Sequence, residues 1–265
     1  MRIVAPVLVA ALVLGPSAAR AVGLPDTGLD RCYNGAALGA CTSTNTGNAA
    51  PYPRQDGRFG RDAKARVGTL AKTGGGAAGF DYTKLANNGS DLAAGAALGT
   101  AATDWACTRD NITGLTWEVK VNDVTKLRHA GWTYTLYNSD GTTNGGVEGT
   151  PDTGVGVGSD NCLNAARCDT EKFVADVNTA GLCSFNTDWR LPTRRELRTL
   201  AHAGAQNPSI DTTYFPNTSA SFYWSVSSYV PLPANAWSVF FGNGYTFNIG
   251  KSSSNFVRLV RGTQF

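Results

Sequence analysis

Asp188-Trp189-Arg190-Leu191-Pro192-Thr193-Arg194-Arg195-Glu196-Leu197 is the stretch on which the fold turns. Thr193 and Glu196 stand at the spacing of a capping box, in which a hydroxyl and a carboxylate reciprocally satisfy the free amides that open a helix. Leu197, Leu200 and Ala201 then form an apolar stripe, and Gly204 supplies the stop. A helix is therefore expected from this box to Gly204.

Working backward, a second helix is expected over 169–180. Asp169 or Thr170 can cap it, Phe173, Val174 and Val177 share one face, and Gly181 can take the left-handed position that closes it. Before it lies a polar, turn-rich loop, with Asn138-Ser139-Asp140-Gly141 and the glycines from 154 to 158. Further back, Thr113-Gly114-Leu115-Thr116-Trp117-Glu118-Val119 alternates as a half-buried strand would. Beyond Gly204 come short β-like pieces, at 223–227, 237–241, 245–249 and 256–260, separated by Pro, Gly, Asn and Ser as hairpins require. Strand, two helices and then several strands is an α+β order. Neither a Gly-rich phosphate loop after a strand nor a repeat of 20–50 residues is visible.

The chain divides into three parts. Arg2, the apolar run from Ile3 to Leu14 and Ala19-Arg20-Ala21 read as a signal peptide over 1–21, too short and too broken for a membrane span. Residues 22–104 are rich in Gly, Ala, Thr and Asn, and are expected to be a loosely structured section with a few short elements. Residues 105–265 carry the folded domain. Leu24-Pro25-Asp26-Thr27-Gly28 spells a sortase motif but stands at the wrong end of the chain, and no Cys at the cleavage site offers a lipid anchor. With 23 basic and 20 acidic residues, the chain has no basic excess that would suggest nucleic acid.

Six cysteines, Cys32, Cys41, Cys107, Cys162, Cys168 and Cys183, imply disulfides in an exported protein. Cys32–Cys41 is the natural local clip. The expected helix would hold Cys168 and Cys183 roughly 20 Å apart, beyond the ~7 Å a disulfide spans. That leaves Cys162–Cys168 with Cys107–Cys183, which is preferred, or Cys107–Cys168 with Cys162–Cys183. Metal binding would want paired C-x-x-C spacing or nearby histidines, which are lacking.

Four motifs recur in order across 105–263: Asp110-Asn111-x-Thr113-Gly114-Leu115-Thr116-Trp117; Asp188 to Leu197; Tyr223-Trp224-Ser225; and Val257-Arg258-Leu259-Val260-Arg261-Gly262. Together they resemble the Lcl C-terminal domain family, named for the C-terminal domain of a collagen-like bacterial adhesin. The helix start and the closing Arg-Leu-Val-Arg are also similar to the formylglycine-generating-enzyme superfamily. This resemblance implies a C-type-lectin-like domain with two helices and short antiparallel strands. It does not carry over the chemistry. Copper-dependent formylglycine-generating enzymes use a late cysteine pair, and this chain has no Cys after Cys183. Related sulfoxide synthases use a histidine set, and here only His129 and His202 are present.

No catalytic set emerges otherwise. His202 is expected in the last turn of its helix, where a cation complements the dipole, and His129 lies in a polar loop. Asp188, Glu196 and Asp211 cluster near that helix, but Glu196 is needed as a cap. The protein is expected not to be an enzyme, with a hydrolytic site around Asp188, Asp211 or His202 as the rival reading. No cofactor is expected beyond a structural calcium option from Asn138, Asp140, Asp152 and Asp160.

The last 50 residues stand out. Half of the aromatic residues lie between 214 and 265, and Lys251 is the only charge between Asn217 and Phe256. Aromatic anchors among small polar residues are the composition of a recognition surface. Trp224, Trp237 and Tyr223 are read as core. Tyr229, Ser238, Phe240, Asn243, Tyr245, Phe247, Asn248, Ser252, Ser253, Ser254 and Asn255 are expected to face outward and bind ligand. The stretch is similar to the hypervariable ligand site of lectin-like proteins diversified by retroelements. The expected function is an exported, adhesin-type binding protein, periplasmic, secreted or on the cell surface, presenting 226–256 to an extracellular glycan or protein. The named adhesin's domain suggests sulfated glycosaminoglycans among the glycans, with Lys251, Arg258 and Arg261 assisting. A structural or assembly role, with the aromatic face buried in a homo-oligomer, is the third reading. No membrane span is expected.

Overall fold

A computed structural model describes residues 25–41, 54–155 and 161–265. The expected signal peptide, the sortase-like Leu24 and the calcium candidate Asp160 lie outside the described residues. The architecture is α+β. Strands β1 (Cys32–Tyr33) and β2 (Leu38–Gly39) form a small ribbon, and helix α1 (Gly60–Arg66) follows. One five-stranded sheet has the order β12-β6-β5-β3-β4, from β3 (Tyr82–Ala86), β4 (Asp91–Leu92), β5 (Trp105–Asp110), β6 (Thr116–Glu118) and β12 (Val260–Arg261). The other has the order β10-β9-β8-β11-β7, from β7 (Thr133–Tyr134), β8 (Phe222–Ser228), β9 (Asn235–Phe240), β10 (Tyr245–Gly250) and β11 (Asn255–Phe256). Helices α2 (Thr170–Ala180) and α3 (Arg194–Arg198) precede β8 in the chain.

The expected helix starts are present in atomic detail. The Asp169 carboxylate accepts from the Lys172 amide, and Gly181 takes φ +74° at the end of α2. At α3 the Thr193 hydroxyl accepts from the Glu196 amide at 3.1 Å, while Glu196 accepts from the Thr193 amide at 2.8 Å. The same Glu196 carboxylate holds the Arg190 guanidinium in a fork, at 2.7 and 2.8 Å. Backbone bonds in both directions between Arg190 and Val260 then tie the loop before α3 to β12.

α3 ends earlier than expected. The Thr199 hydroxyl donates to the Glu196 carbonyl, and beyond it the chain continues in tight i→i−3 turns, with amides of Leu200 and Ala201 on carbonyls of Leu197 and Arg198. His202 therefore lies past the helix. β6 also differs from the half-buried strand expected. All of Thr116, Trp117 and Glu118 are buried, because β6 has strands on both sides and packed layers on both faces.

The section 22–104 is more ordered than its composition suggested. β3 pairs with β5 from Tyr82↔Asp110 to Ala86↔Trp105, so the boundary expected after residue 104 separates neighbouring strands of one sheet. Phe80, Tyr82 and Leu85 are buried there. Phe80 and Tyr82 join one core cluster with Trp117, Leu197, Phe215 and Val239. Leu85 belongs to the second cluster, with Tyr134, Phe173, Trp189, Trp224 and Leu259.

Three disulfides form, Cys32–Cys41, Cys107–Cys183 and Cys162–Cys168, matching the preferred pairing. Their loops differ greatly, with separations of 76 residues for Cys107–Cys183 and 6 for Cys162–Cys168. The chain-entropy relation assigns about 4.5 kcal/mol to the long loop and about 2 kcal/mol to the short one. Replacing both cysteines of Cys107–Cys183 by Ser should therefore lower denaturant stability by about 2 kcal/mol more than the same change at Cys162–Cys168. Equal losses in urea melts would contradict this ordering.

Candidate functional site

The predicted ligand residues lie on and around the hairpin β9–β10. Its register pairs Tyr245 with Phe240, Phe247 with Ser238 and Asn248 with Trp237, and β10 is the edge of its sheet. Because paired residues share a face, Tyr245, Phe247, Phe240 and Ser238 lie on one side. Trp237, Val239, Thr246 and Asn248 lie on the other.

On the first face, Ser238 is fully buried beside the core residues Ala236 and Trp224. Its hydroxyl donates to the Phe247 carbonyl at 3.2 Å, so it braces the hairpin rather than facing outward as expected. Nearer the turn the face opens into an aromatic group. Phe222 lies 4.7 Å from Phe240 and 5.6 Å from Phe247, centre to centre, with Phe240 and Phe247 at 6.3 Å. Phe247 and Tyr245 are exposed, at 42% and 65%. The turn keeps its shape through Gly244 at φ +78°, where a Cβ would come within 3.2 Å of Ala201 and Ser209.

On the second face, α3 covers the inner part. Leu197 and Leu200 pack with Val239 and Tyr223. At the open end the Arg194 guanidinium lies 4.3 Å over Trp237, and Tyr229 meets the same ring edge-on at 5.1 Å. Asn235 donates to Asn248 at 2.9 Å. Trp237 is thus only half-buried and joins neither core cluster, a correction to its core reading; its ring is covered at the surface by Arg194 and Tyr229.

Asn243, Asn248, Ser252 and Ser253 are exposed, and Tyr229, Phe240 and Ser254 are half-buried. Asn255 is buried, as part of β11 between β7 and β8, and so joins Ser238 as a correction. The three cations expected to assist are all engaged. The Lys251 ammonium is buried and donates to carbonyls of Asn144 and Val147. Arg258 is fully buried and donates to the Glu118 carbonyl and the Thr218 hydroxyl. Arg261 pairs with Asp188 and lies over Phe185.

The cations that do stand by the hairpin are ones the sequence reading did not select. Arg195 and Arg198 of α3 are exposed and have no ion pair or side-chain hydrogen bond among the described residues. They line a cleft of about 300 Å³ with Thr199, Asn243, Gly244, Tyr245 and the N-terminal residues Pro25, Asp26 and Thr27. The signal was present in Arg194-Arg195-x-x-Arg198, three basic residues on one short helix beside the capping box.

The other candidates are used locally. Asp140 accepts from Thr142 and Thr143, and Asp152 from the amides of Gly154 and Cys168, so the calcium option finds its oxygens closing turns. Asp26, Asp56 and Asp62 bring carboxylate oxygens within 4.8 Å of one another, with Thr27 donating to both Asp56 and Asp62. His129 packs edge-on against Trp132. Asp211 accepts from the amides of Ala77 and Thr213. His202 packs edge-on against Phe80, and its Nδ1 accepts from the Gly204 amide at 3.0 Å. An accepting Nδ1 is unprotonated, so the expected cation at a helix end is replaced by a neutral ring.

The family model of the Lcl C-terminal domain matches residues 106–261, more than half of the chain, and the chain belongs to that family. None of the curated proteins and none of the solved structures matches it.

Burial lowers the His202 pKa below its ordinary 6.5, against smaller opposing pulls from Asp211, Asp62 and Asp30. Above pH 6.5 neither the folded nor the unfolded state carries this proton, and His202 does not affect stability. As pH falls below 6.5 the unfolded chain protonates first, and stability drops. Urea melts of His202→Asn should lose less stability between pH 7 and 5 than the parent protein; parallel losses would show that His202 is not desolvated.

Proposed function

We propose that this member of the Lcl C-terminal domain family is an exported, adhesin-type binding protein that acts by recognition rather than catalysis. Its C-terminal domain is read as a C-type-lectin-like fold, on the motifs at 110–117, 188–197, 223–225 and 257–262. Export rests on the leader-like residues 1–21 and is supported by three disulfides, which persist in oxidising compartments. Among the described residues no helix is long and apolar enough to cross a membrane.

The observation that carries the reading is the open end of β9–β10. Tyr245 and Phe247 are exposed on a strand whose inner neighbours, Ser238, Ala236 and Trp224, are fully buried. Exposed rings fixed on a rigid base lose little entropy on binding. Asn243, at the turn beside Tyr245, and Asn248, on the opposite face of the edge strand, offer amide donors. This is chemistry for an extracellular glycan, whose C–H faces stack on rings and whose hydroxyls meet amides. Acidic glycans are within the class, since Arg195 and Arg198 beside the hairpin have no ion pair among the described residues.

The oxidised mature protein should give saturable binding on a glycan array that includes sulfated glycosaminoglycans. Changing Tyr245, Phe247 and Asn248 together to Ala should weaken it at least ~10-fold in a protein that circular dichroism shows still folded, because these side chains lie outside the core clusters. Absence of binding by the intact protein would overturn the glycan reading in favour of a protein ligand or an assembly role.

A further inference from the structure

The cleft beside the hairpin is built by two parts of the chain that the family match does not unite. Arg195, Arg198, Asn243 and Tyr245 fall within residues 106–261, whereas Asp26 comes from the segment well before them. That segment is tied in place. The Ala203 amide donates to the Thr27 carbonyl, and Asp26 accepts from the amides of Thr27 at 3.1 Å and Asp62 at 2.9 Å. Gly60, at φ +68°, makes room for it, since a Cβ there would stand 2.2 Å from the Asp26 carboxylate.

Opposite charges therefore face one cleft of about 300 Å³ without closing on each other, as no ion pair joins Asp26 to Arg195 or Arg198. A carboxylate has about four lone-pair sites, and two backbone amides occupy only part of that capacity. Asp26 thus remains able to accept from a ligand, while the arginines can donate to an anion. A polyanion gains from the arginines but meets Asp26, with Asp56 and Asp62 within 4.8 Å of it, as a like charge. A single acidic group beside hydroxyls satisfies both walls, with the exposed Tyr245 ring at the rim to stack on.

Resting on the glycan reading above, we propose that this cleft is a subsite for a singly charged acidic sugar. Its carboxylate would meet Arg195 and Arg198, and a neighbouring hydroxyl would donate to Asp26. The N-terminal wall is the specificity-determining part, disfavouring densely charged chains.

Calorimetry on the whole oxidised protein tests this with a glucuronate-terminated oligosaccharide, its methyl ester, a deoxy analogue lacking a hydroxyl beside the acid, and a heparin octasaccharide. The acid should bind about tenfold tighter than the ester, and Arg195→Gln with Arg198→Gln should bring the two level. Asp26→Ala, which removes both the acceptor and the charge, should erase the acid's advantage over the deoxy analogue and strengthen the heparin fragment. Because Ala at 26 also removes the contacts to the Thr27 and Asp62 amides, the deoxy analogue removes the hydroxyl bond from the ligand side alone. It should bind more weakly than the acid to the parent protein and equally with it to Asp26→Ala. Equal binding of acid and ester, or an unchanged preference between acid and heparin in Asp26→Ala, overturns the subsite while the glycan reading stands. If none of the four saccharides binds the parent protein, the subsite falls, and the glycan array alone decides the glycan reading.

Discussion

Residues 255–261 leave one five-stranded sheet as β11 and enter the other as β12, and two buried charges hold the backbone at that crossing. The Glu118 carboxylate accepts from the Leu259 amide at 3.0 Å and from the Lys120 ammonium at 2.7 Å. The Arg258 guanidinium donates to the Glu118 carbonyl at 2.7 Å and to Thr218 at 2.8 Å, and lies over Phe215. Burial first, with the neighbouring Arg258 and Arg128 charges, draws the Lys120 ammonium down to about 8 against the opposing pull of Glu118. Such a set contributes little net stability when complete, yet removing one member leaves a buried charge uncompensated at a cost of about 3–5 kcal/mol. Its bonds span the crossing, from Glu118 at the end of β6 to Leu259 and Arg258 between β11 and β12.

The hairpin β9–β10, where recognition is proposed, is tied to this crossing. β11 pairs with β8, β8 with β9, and β9 with the edge strand β10. From the other direction, β12 is bonded to Arg190, Arg190 is forked onto Glu196, and Glu196 caps α3. The hairpin and the arginine helix are thus two outgrowths of one buried junction, and they meet around Val239, Leu197 and Leu200. The proposed recognition falls to side chains that the framework does not use: Tyr245, Phe247, Asn243, Asn248, Arg195 and Arg198.

Much of the framework was legible because its signals are local. The Thr193–Glu196 box, the Asp169 cap and the Gly181 stop each act within four residues, and each is present. Helix length excluded Cys168–Cys183 and left two pairings open, of which the preferred one is present. What escaped depends on distant partners. β3 was hidden because Phe80, Tyr82 and Leu85 are isolated among Gly, Ala and Thr, and become a strand only against β5. Lys251 looked like a free cation in a polar stretch, but the carbonyls that hold it come from Asn144 and Val147, about a hundred residues earlier. Alternation placed Tyr245, Phe247 and Asn248 outward, and missed Ser238 because the edge of β9 nearest Trp224 is roofed by the core. Asp26 gave no sign of joining the cleft, since nothing in its neighbours in sequence refers to α3.

Hydrogen–deuterium exchange on the oxidised protein, with and without a saturating glycan identified on the array, tests the central claim most directly. Added protection confined to 235–250 and 194–199, with the segment around Asp26 following them, is the result this account predicts. Protection centred elsewhere, for instance on the loops at 137–150, with the hairpin unchanged, would contradict it.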